Sequence, residues 1–205
     1  MTYSSRTEPE VFIIESLNFD DEEEGSFEGK FISQILNMNG KESIYYYIRT
    51  KKELEEVMFK FDESNFRYLH ISCHGSPTSM ETTLDSIPFK ELAEIVNPSL
   101  QNKRLFISAC NMCNRRLANL IIKESSCYSI VGPHNPINFS DAAIFWASFY
   151  HLMFNANEQS MKLKDIREQL IKLSTLFNVP ISFFRNSSKL KAGYAYRQIN
   201  PRKIS

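Results

Sequence analysis

Two short segments of this sequence carry side chains that could act together on a carbonyl group. Tyr68–Gly75 is a predicted strand running into a His74–Gly75 turn, and Leu105–Cys110 is a second predicted strand that ends in a cysteine. A cysteine reacts as its thiolate but is mostly protonated at neutral pH, so a nucleophilic cysteine needs a base such as histidine beside it. If the two strands are parallel neighbours, the imidazole of His74 and the thiol of Cys110 meet at one edge of the sheet.

Backbone groups next to these side chains could stabilise negative charge on a substrate. Glycine has no Cβ, so Gly75 lets another backbone approach closely, and its N–H could point at a developing oxyanion. The N–H of Cys110 could supply the second donor. Spacing alone leaves a second interpretation open, because most cysteines at strand ends are small buried apolar groups and most histidines after a strand are structural.

The neighbouring cysteines and histidines fit packing better than chemistry. Cys110 and Cys113 form a C-x-x-C pair, which could be a redox pair or half of a zinc site. A zinc site needs a second ligand pair at similar spacing, so we expect no metal, no cofactor and an incidental Cys113. His70 lies mid-strand in an apolar run and is expected to be a hydrogen-bonded core group. Cys73 should point away from His74, because side chains alternate along a strand.

Strands and helices alternate along the chain. Short apolar, β-branched or aromatic runs predict strands, and apolar residues at i, i+3, i+4 and i+7 predict the helices between them. Residues 50–53 match a capping box, and Ser140 is expected to cap an aromatic helix. The alternation predicts an α/β fold whose mainly parallel central sheet has helices on both faces and functional groups at the strands' carboxyl ends. The predicted strands are 11–14, 43–49, 67–72, 104–109, 127–131, about 181–184 and about 194–199, and the predicted helices are 26–38, 50–61, 88–96, 115–124, 140–154 and 162–176.

The length and charge of the chain limit its function class. One domain accounts for 205 residues, with a basic extension at about 157–205. Lys+Arg 24 against Asp+Glu 24 gives no net charge, which argues against a general nucleic-acid binder. No stretch approaches the roughly 20 apolar residues of a membrane span, and the polar segment Met1–Glu10 predicts no signal peptide, so we expect a cytoplasmic protein without membrane partners.

Acidic residues are concentrated before Gly25 and basic residues beyond Asn157. Two interpretations of this asymmetry stay open. Both segments could be solvated ends of one domain, which is the usual role of charged runs. Alternatively, the acidic segment is a loop whose local field attracts a basic part of a substrate.

Three short motifs occur in order in the middle of the chain. His70–Gly75 reads H-x-x-x-H-G at the end of a strand, and residues 108–110 read Ser-Ala-Cys at the end of an apolar strand. Ser129–Gly132 is a strand ending in glycine, followed by a loop, Asp141 and a helix containing Phe149–Tyr150. Together these motifs resemble the signatures of CHAT-domain peptidases, a caspase-like group that is also similar to separase. The resemblance covers about residues 67–153 and implies a caspase-like three-layer sandwich.

The resemblance also implies an activity and roles for residues. It makes Cys110 the nucleophile and His74 the general base of a cysteine endopeptidase that requires no third carboxylate, with the N–H groups of Gly75 and Cys110 holding the oxyanion. In the separase-like branch, an acidic residue at the position of Asp141 lines the pocket for the side chain before the cut and pairs with arginine. Carboxylate and guanidinium groups form bidentate pairs, so cleavage after Arg or Lys is expected. Alternatively, Asp141 only stabilises the first turn of its helix.

Partners and further functions follow from the same resemblance. It implies a protein substrate, an activating or regulatory protein partner, and a role in bacterial defence or regulated cell death. A catalytically idle CHAT-fold interaction module is the alternative, although the presence of both His74 and Cys110 argues against it. A cysteine-dependent transferase or redox protein would use the same thiol with a different acceptor. The peptidase hypothesis requires that the imidazole of His74 and the sulfur of Cys110 share one cleft.

Overall fold

A seven-stranded sheet forms the centre of the computed structural model, which describes residues 7–202. In chain order, the strands are β1 (Glu8–Glu15), β2 (Ser43–Tyr47), β3 (Phe66–Ser72), β4 (His74–Gly75), β5 (Ser79–Glu81), β6 (Ser86–Pro88), β7 (Arg104–Ser108), β8 (Ser129–Pro133), β9 (Ile181–Asn186) and β10 (Tyr194–Ile199). The sheet order is β10-β9-β8-β7-β3-β1-β2. The five neighbouring strands β8, β7, β3, β1 and β2 are parallel. Next to β8, β9 and β10 continue the sheet as an antiparallel hairpin. The strands β4, β5 and β6 form a separate antiparallel sheet.

Helices cover both faces of the central sheet. They are α1 (Phe19–Glu24), α2 (Glu28–Met38), α3 (Lys51–Ser64), α4 (Phe89–Val96), α5 (Arg115–Ser125), α6 (Phe139–Ala156) and α7 (Leu163–Phe177). The helices α3, α4 and α5 pack on one face, and α2, α6 and α7 pack on the other. The predicted three-layer α/β sandwich with a mainly parallel sheet is therefore confirmed. No helix within residues 7–202 combines the length and apolarity that a membrane crossing requires.

The helix caps agree only in part with the sequence prediction. The capping box at α3 is present: the Thr50 side chain accepts the N–H of Glu53, and the Glu53 carboxylate accepts the N–H of Thr50. The prediction that Ser140 caps α6 is wrong. The N-cap is Asn138, the helix begins at Phe139, and Ser140 lies in its first turn. Asn138 makes no side-chain capping hydrogen bond, so the local pattern gives little information on where this helix begins.

The acidic residues after β1 form the short helix α1 and not the predicted loop. The Asn18 side chain accepts the N–H of Asp21 at 2.8 Å, and Gly25 ends the helix with a left-handed φ of 74°. Glu22 of this helix pairs with Arg49 at 2.5 Å. Because β1 lies beside β3 in the sheet, α1 begins next to the end of the strand that leads to His74.

Side-chain alternation along the central strands divides the core into two clusters. On β3, Leu69 packs toward α3, α4 and α5, whereas Tyr68 packs toward α2, α6 and α7. On β7, Ile107 and Phe106 divide in the same way. A parallel strand buried on both faces needs apolar residues at successive positions, which is why these strands read as continuous apolar runs. The same two-residue period then sets the direction of the polar side chains where the strands end.

A buried carboxyl group from β1 holds the N-terminus of α2. Glu15 is fully buried, and its Oε1 accepts the N–H of Gly29 at 2.6 Å. Its Oε2 accepts the N–H of Lys30 at 3.3 Å and the hydroxyl of Tyr45 at 2.8 Å. Burial raises the pKa of Glu15 to about 7, and these hydrogen bonds offset only part of that rise. Helix α2 is thus anchored by a group that titrates near neutrality.

We expect ionisation of Glu15 to reduce the stability of the fold as the pH rises. Because the pKa of Glu15 in the folded state exceeds its ordinary value of 4.5, its contribution is fully present below about pH 4.5 and is lost as the pH rises through about 7. The loss approaches roughly 3 kcal/mol, at about 1.4 kcal/mol per unit of pKa difference. Urea unfolding of wild type and Glu15→Gln near pH 5 and near pH 8 measures the effect. If the free energy of unfolding changes equally between the two pH values in wild type and Glu15→Gln, the prediction is wrong.

Candidate active site

His74 and Cys110 follow two adjacent parallel strands. β3 and β7 pair in parallel with Ser72 opposite Ser108, as the candidate His–Cys pair requires. His74 and Cys110 each lie two residues beyond this matched serine pair. Because successive side chains of an extended chain point to opposite faces, both residues are expected on the side of the sheet that the two serines face. That side is covered by α2 and α6.

His74 and Cys110 line the same small cavity. The cavity measures about 40 Å³. The His74 ring meets the Phe139 ring edge-on with centroids 5.3 Å apart, and Cys110 Sγ lies 3.9 Å from the carbonyl oxygen of Ile137. The His74 side chain is 38% exposed and Cys110 is partly exposed, so solvent reaches both. A cavity of this size holds water but no large ligand.

A carboxylate from α1 contacts the imidazole of His74. Asp21 Oδ2 lies 2.5 Å from His74 Nε2, and the side-chain amide nitrogen of Asn18 lies 3.2 Å from the same ring nitrogen. A carboxylate only accepts hydrogen bonds, so Nε2 carries a proton and donates it to Asp21, and Nδ1 is the acceptor of the neutral ring. The amide nitrogen of Asn18 is itself a donor, so it is a neighbour of Nε2 and not its hydrogen-bond partner. A carboxylate in this position orients an imidazole and stabilises the imidazolium that forms when the ring takes a proton.

The sequence prediction misses Asp21 and Asn18. The CHAT resemblance implies a pair without an obligatory third carboxylate, whereas the structure places one against His74. A signal was present, since the acidic run begins soon after β1 ends, and the carboxyl ends of parallel strands meet at one edge of a sheet. What the sequence lacks is the adjacency of β1 and β3, which only the sheet order supplies.

A second missed carboxylate joins the two strands below the His–Cys pair. The Glu28 side chain is 1% exposed, and its Oε2 accepts the hydroxyls of Ser72 at 3.1 Å and Ser108 at 2.9 Å. Its Oε1 lies 3.6 Å from His70 Nε2, and His70 Nδ1 lies 2.9 Å from the hydroxyl of Tyr150. His70 is therefore the hydrogen-bonded core group that its position predicts. Glu28 fixes the separation of the two strand ends that lead to His74 and Cys110.

Close packing explains the glycine that follows His74. A Cβ on Gly75 would overlap the Met112 side chain and would lie 3.2 Å from the carbonyl oxygen of Cys110. The loops carrying the imidazole and the thiol are thus in direct contact. Asn111 has a left-handed φ of 61°, which asparagine adopts more readily than most residues, and it turns the chain directly after Cys110. The oxyanion role of the Gly75 and Cys110 N–H groups stays a prediction.

Cys110 is the accessible thiol among the four cysteines of the chain. Cys73, Cys113 and Cys127 are buried, and burial raises the pKa of all three thiols, to about 12 for Cys127. Such thiols stay protonated and are poor nucleophiles. Cys73 packs against Met112 with 3.8 Å between the sulfur atoms. All four cysteines are free, and within residues 7–202 no group of three or more His, Cys, Asp or Glu side chains is arranged to hold a metal ion.

Asp141 lies outside the cavity that holds His74 and Cys110. It is exposed in the first turn of α6, whereas Phe139 and Ala142 of the same turn line the cavity. In this position its charge stabilises the N-terminus of the helix. A substrate side chain would reach Asp141 only by extending beyond the cavity along the start of α6. The predicted substrate-binding role of Asp141 stays a prediction.

Similar solved structures are cysteine proteases. A secreted C11 cysteine protease from Bacteroides thetaiotaomicron, iotapain, has a TM-score of 0.61 at 9% identity, over 87% of this chain and 66% of its own. A secreted C11 cysteine protease from the same organism, in complex with an irreversible peptide inhibitor, has a TM-score of 0.55 at 11% identity, over 86% and 65%. The Arg-specific cysteine proteinase gingipain R has a TM-score of 0.55 at 12% identity, over 85% and 44%. The chain has a caspase-like fold.

The similarity concerns the fold and not the whole neighbouring proteins. This chain spans 66%, 65% and 44% of the lengths of the three neighbours. No protein-family model matches the sequence, and no curated protein matches it. The caspase-like architecture predicted from the motifs is therefore confirmed, while membership of the CHAT group stays a prediction.

Proposed function

We propose that this protein is a CHAT-type cysteine endopeptidase in which Cys110 is the nucleophile and His74 the general base. One observation carries the proposal: both side chains line a single solvent-accessible cavity beyond the ends of adjacent parallel strands. Reactive groups of open α/β sheets collect at these strand ends. The fold likeness to cysteine proteases supports the reaction class.

The reaction is acyl transfer through a thioester. His74 takes the proton of Cys110, and the sulfur forms a bond to the peptide carbonyl carbon while the N–H groups of Gly75 and Cys110 hold the oxyanion. The C–N bond then breaks, and His74 gives its proton to the leaving amine. Water hydrolyses the thioester, releasing the new carboxyl group and restoring the thiol. Asp21 orients the imidazole throughout and stabilises its charged form.

The proposal extends to substrate and setting. The substrate is a protein segment cut after a basic residue, which agrees with the peptide inhibitor bound to one neighbour and with the arginine specificity of another. The proposal includes a cytoplasmic location. The motif resemblance supports activation by a partner protein in bacterial defence or regulated cell death. Such a partner would explain how a protease is kept inactive until required.

Covalent capture tests the proposal without requiring full turnover. A peptide ending in arginine and carrying an acyloxymethyl ketone should attach to Cys110 of the native protein, located by mass spectrometry of the digest. Cys110→Ala should show no adduct, and His74→Ala should react far more slowly. Iodoacetamide reports separately that the thiol is accessible. The peptidase proposal fails if iodoacetamide modifies Cys110 but the peptide reagent does not, or if the peptide adduct forms at another residue. The catalytically idle interaction module is then the better hypothesis.

Replacing Asp141 tests the basic specificity. If its carboxylate pairs with the substrate guanidinium, Asp141→Ala should lower kcat/KM for arginine peptides by about 10-fold or more, since hydrogen bonds to charged groups contribute roughly 1.5–3 kcal/mol. Peptides with an uncharged residue at that position should be cleaved as before. The measurement is initial-rate kinetics on matched peptides that differ only in this residue.

Asp165 is a matched control, because it is also the first-turn carboxylate of a long helix. Asp165→Ala should lose no more than about 1 kcal/mol of stability through the helix dipole and should not alter specificity. If Asp141→Ala also loses only this much stability and leaves the specificity unchanged, the carboxylate of Asp141 stabilises the helix and does not bind the substrate.

A further inference from the structure

A wide cleft lies between α7 and the β9–β10 hairpin, away from the His–Cys cavity. Its volume is about 920 Å³. It is closed at one end, where the Ser174 hydroxyl of α7 donates to the carbonyl oxygen of Ile199 at 3.4 Å. None of its lining residues lines the cavity of His74 and Cys110. We call this space the α7–hairpin cleft.

The hairpin wall of the cleft changes from apolar to basic with distance from the closed end. Ile199 pairs with Ile181 at that end, and both are buried under α7. Two residues further along, Arg197 pairs with Phe183, and beyond that Ala195 pairs with Arg185. Because these residues are two apart on their strands, they share one face of the hairpin, the face toward α7.

The helix wall changes in the same direction. Ser174 is buried at the closed end, and Ile171 is partly buried one turn away. One and two turns further, Arg167 and Lys164 are exposed. These positions are three or four residues apart, so they form one stripe along the helix that faces the hairpin. Both walls therefore become basic together where the cleft opens.

The positive charge of the cleft is not neutralised within the described part of the chain. No carboxylate among residues 7–202 lies within 4.0 Å of a side-chain nitrogen of the four cations, Lys164, Arg167, Arg185 and Arg197. The one acidic residue in the lining, Glu168, is bound to Lys172 at 2.8 Å. In a chain with no net charge, this cleft is a concentrated positive site.

The remaining lining defines the kind of anion that fits. Leu163, Ile171 and Phe183 add apolar surface between the cations. Bound peptide segments are recognised by such a mixture, with apolar side chains seated in the cleft and charged groups paired at its walls. Nucleic-acid binding depends mainly on basic groups along a phosphate backbone, and it gains little from an apolar cleft closed at one end.

We propose that the α7–hairpin cleft docks a short acidic segment of a partner protein, with an apolar side chain seated between Leu163 and Phe183. The acidic groups pair with arginines of both walls, Arg167 on the helix and Arg185 and Arg197 on the hairpin. Docking at this site is independent of peptide cleavage, because none of these residues contributes to the His–Cys cavity. The α7–hairpin cleft thus gives the basic C-terminal part of the chain a role, which is to bind an acidic segment of a partner protein.

Binding of a fluorescein-labelled peptide of alternating Glu and Leu residues tests this site. Fluorescence anisotropy should show saturable binding to wild type that weakens with added salt. Arg167→Glu/Arg197→Glu should weaken it by at least about 10-fold, since it places like charges against the peptide. The control is Lys52→Glu/Lys90→Glu, which changes the net charge equally at exposed positions of α3 and α4 on the other face of the sheet.

The outcomes separate docking from general electrostatics and from catalysis. Equal weakening by the two double variants, or no saturable binding, would overturn the proposal. It would also fail if a single-stranded oligonucleotide of equal charge bound more tightly than the peptide and lost binding in Arg167→Glu/Arg197→Glu. Cys110→Ala should bind the peptide as wild type does, so a failed peptidase proposal would leave this result unchanged. Circular dichroism of each variant confirms that the fold is retained.

Discussion

Cys110→Ser is expected to lower kcat/KM for peptide hydrolysis by at least about 1,000-fold, the scale on which removal of a nucleophile acts. Serine has nearly the shape of cysteine, so the cavity shared with His74 keeps its lining. A hydroxyl is far less acidic than a thiol, and an imidazole arranged to activate sulfur activates it poorly. Initial rates on an arginine peptide, with circular dichroism to confirm folding, measure the loss.

Cys113→Ala is the control for this substitution, because Cys113 is the other member of the C-x-x-C pair. Its sulfur is buried 3.6 Å from the carbonyl oxygen of Ser182, and burial raises the pKa of the thiol well above its usual range. We expect Cys113→Ala to retain most of the activity. Comparable losses in Cys110→Ser and Cys113→Ala would instead indicate a redox function of the pair and would remove the assignment of Cys110 as a lone nucleophile.

Phe106→Ala is expected to destabilise the fold by about 3–5 kcal/mol, the range for deleting a buried phenylalanine side chain. Phe106 is fully buried at the middle of β7, the strand that leads to Cys110. Its ring lies 5.8 Å from the Trp146 ring, 5.3 Å from Phe149 and 5.6 Å from Tyr150, measured between centroids. Removing the Phe106 ring leaves a cavity, and the three aromatic side chains of α6 cannot move far enough to fill it.

Chemical denaturation of Phe106→Ala beside Phe59→Ala measures this contribution. Phe59 is 68% exposed on α3, so its replacement should change the free energy of unfolding by less than about 0.5 kcal/mol. If the two variants lose similar stability, the cluster around Phe106 does not hold β7 against α6. A loss of activity in Phe106→Ala at temperatures where it stays folded would show that this packing also sets the position of Cys110.

The sheet and the placement of His74 and Cys110 after adjacent strands could be predicted because their signals are local. β3 and β7 are apolar runs buried on both faces, which is the pattern typical of strands in a parallel sheet. His74 and Cys110 come directly after these runs, so the rule for strand ends selects them. The order of the motifs then indicates the caspase-like arrangement, which the solved structures confirm at the level of the fold.

The groups that support the pair could not be predicted because they come from other parts of the chain. Asp21 reaches His74 only because β1 lies beside β3, and the local pattern of residues 19–24 does not give the adjacency of these two strands. Glu28 starts an amphipathic helix, where a carboxylate is normally solvated, yet it is buried against Ser72 and Ser108. Its burial depends on two serines that lie at matched positions of different strands.

The unequal exposure of the four cysteines has a consequence for oxidative damage. Peroxide reacts with thiolates that solvent can reach, so it attacks Cys110 and spares the sulfurs enclosed in the core. Sulfenic acid formed there can be returned to the thiol by a small reductant, provided that oxidation goes no further. We therefore expect Cys110 to lose its reactivity with peroxide and to regain it with the reductant while the protein stays folded. Recovery with reductant distinguishes this reversible oxidation from denaturation.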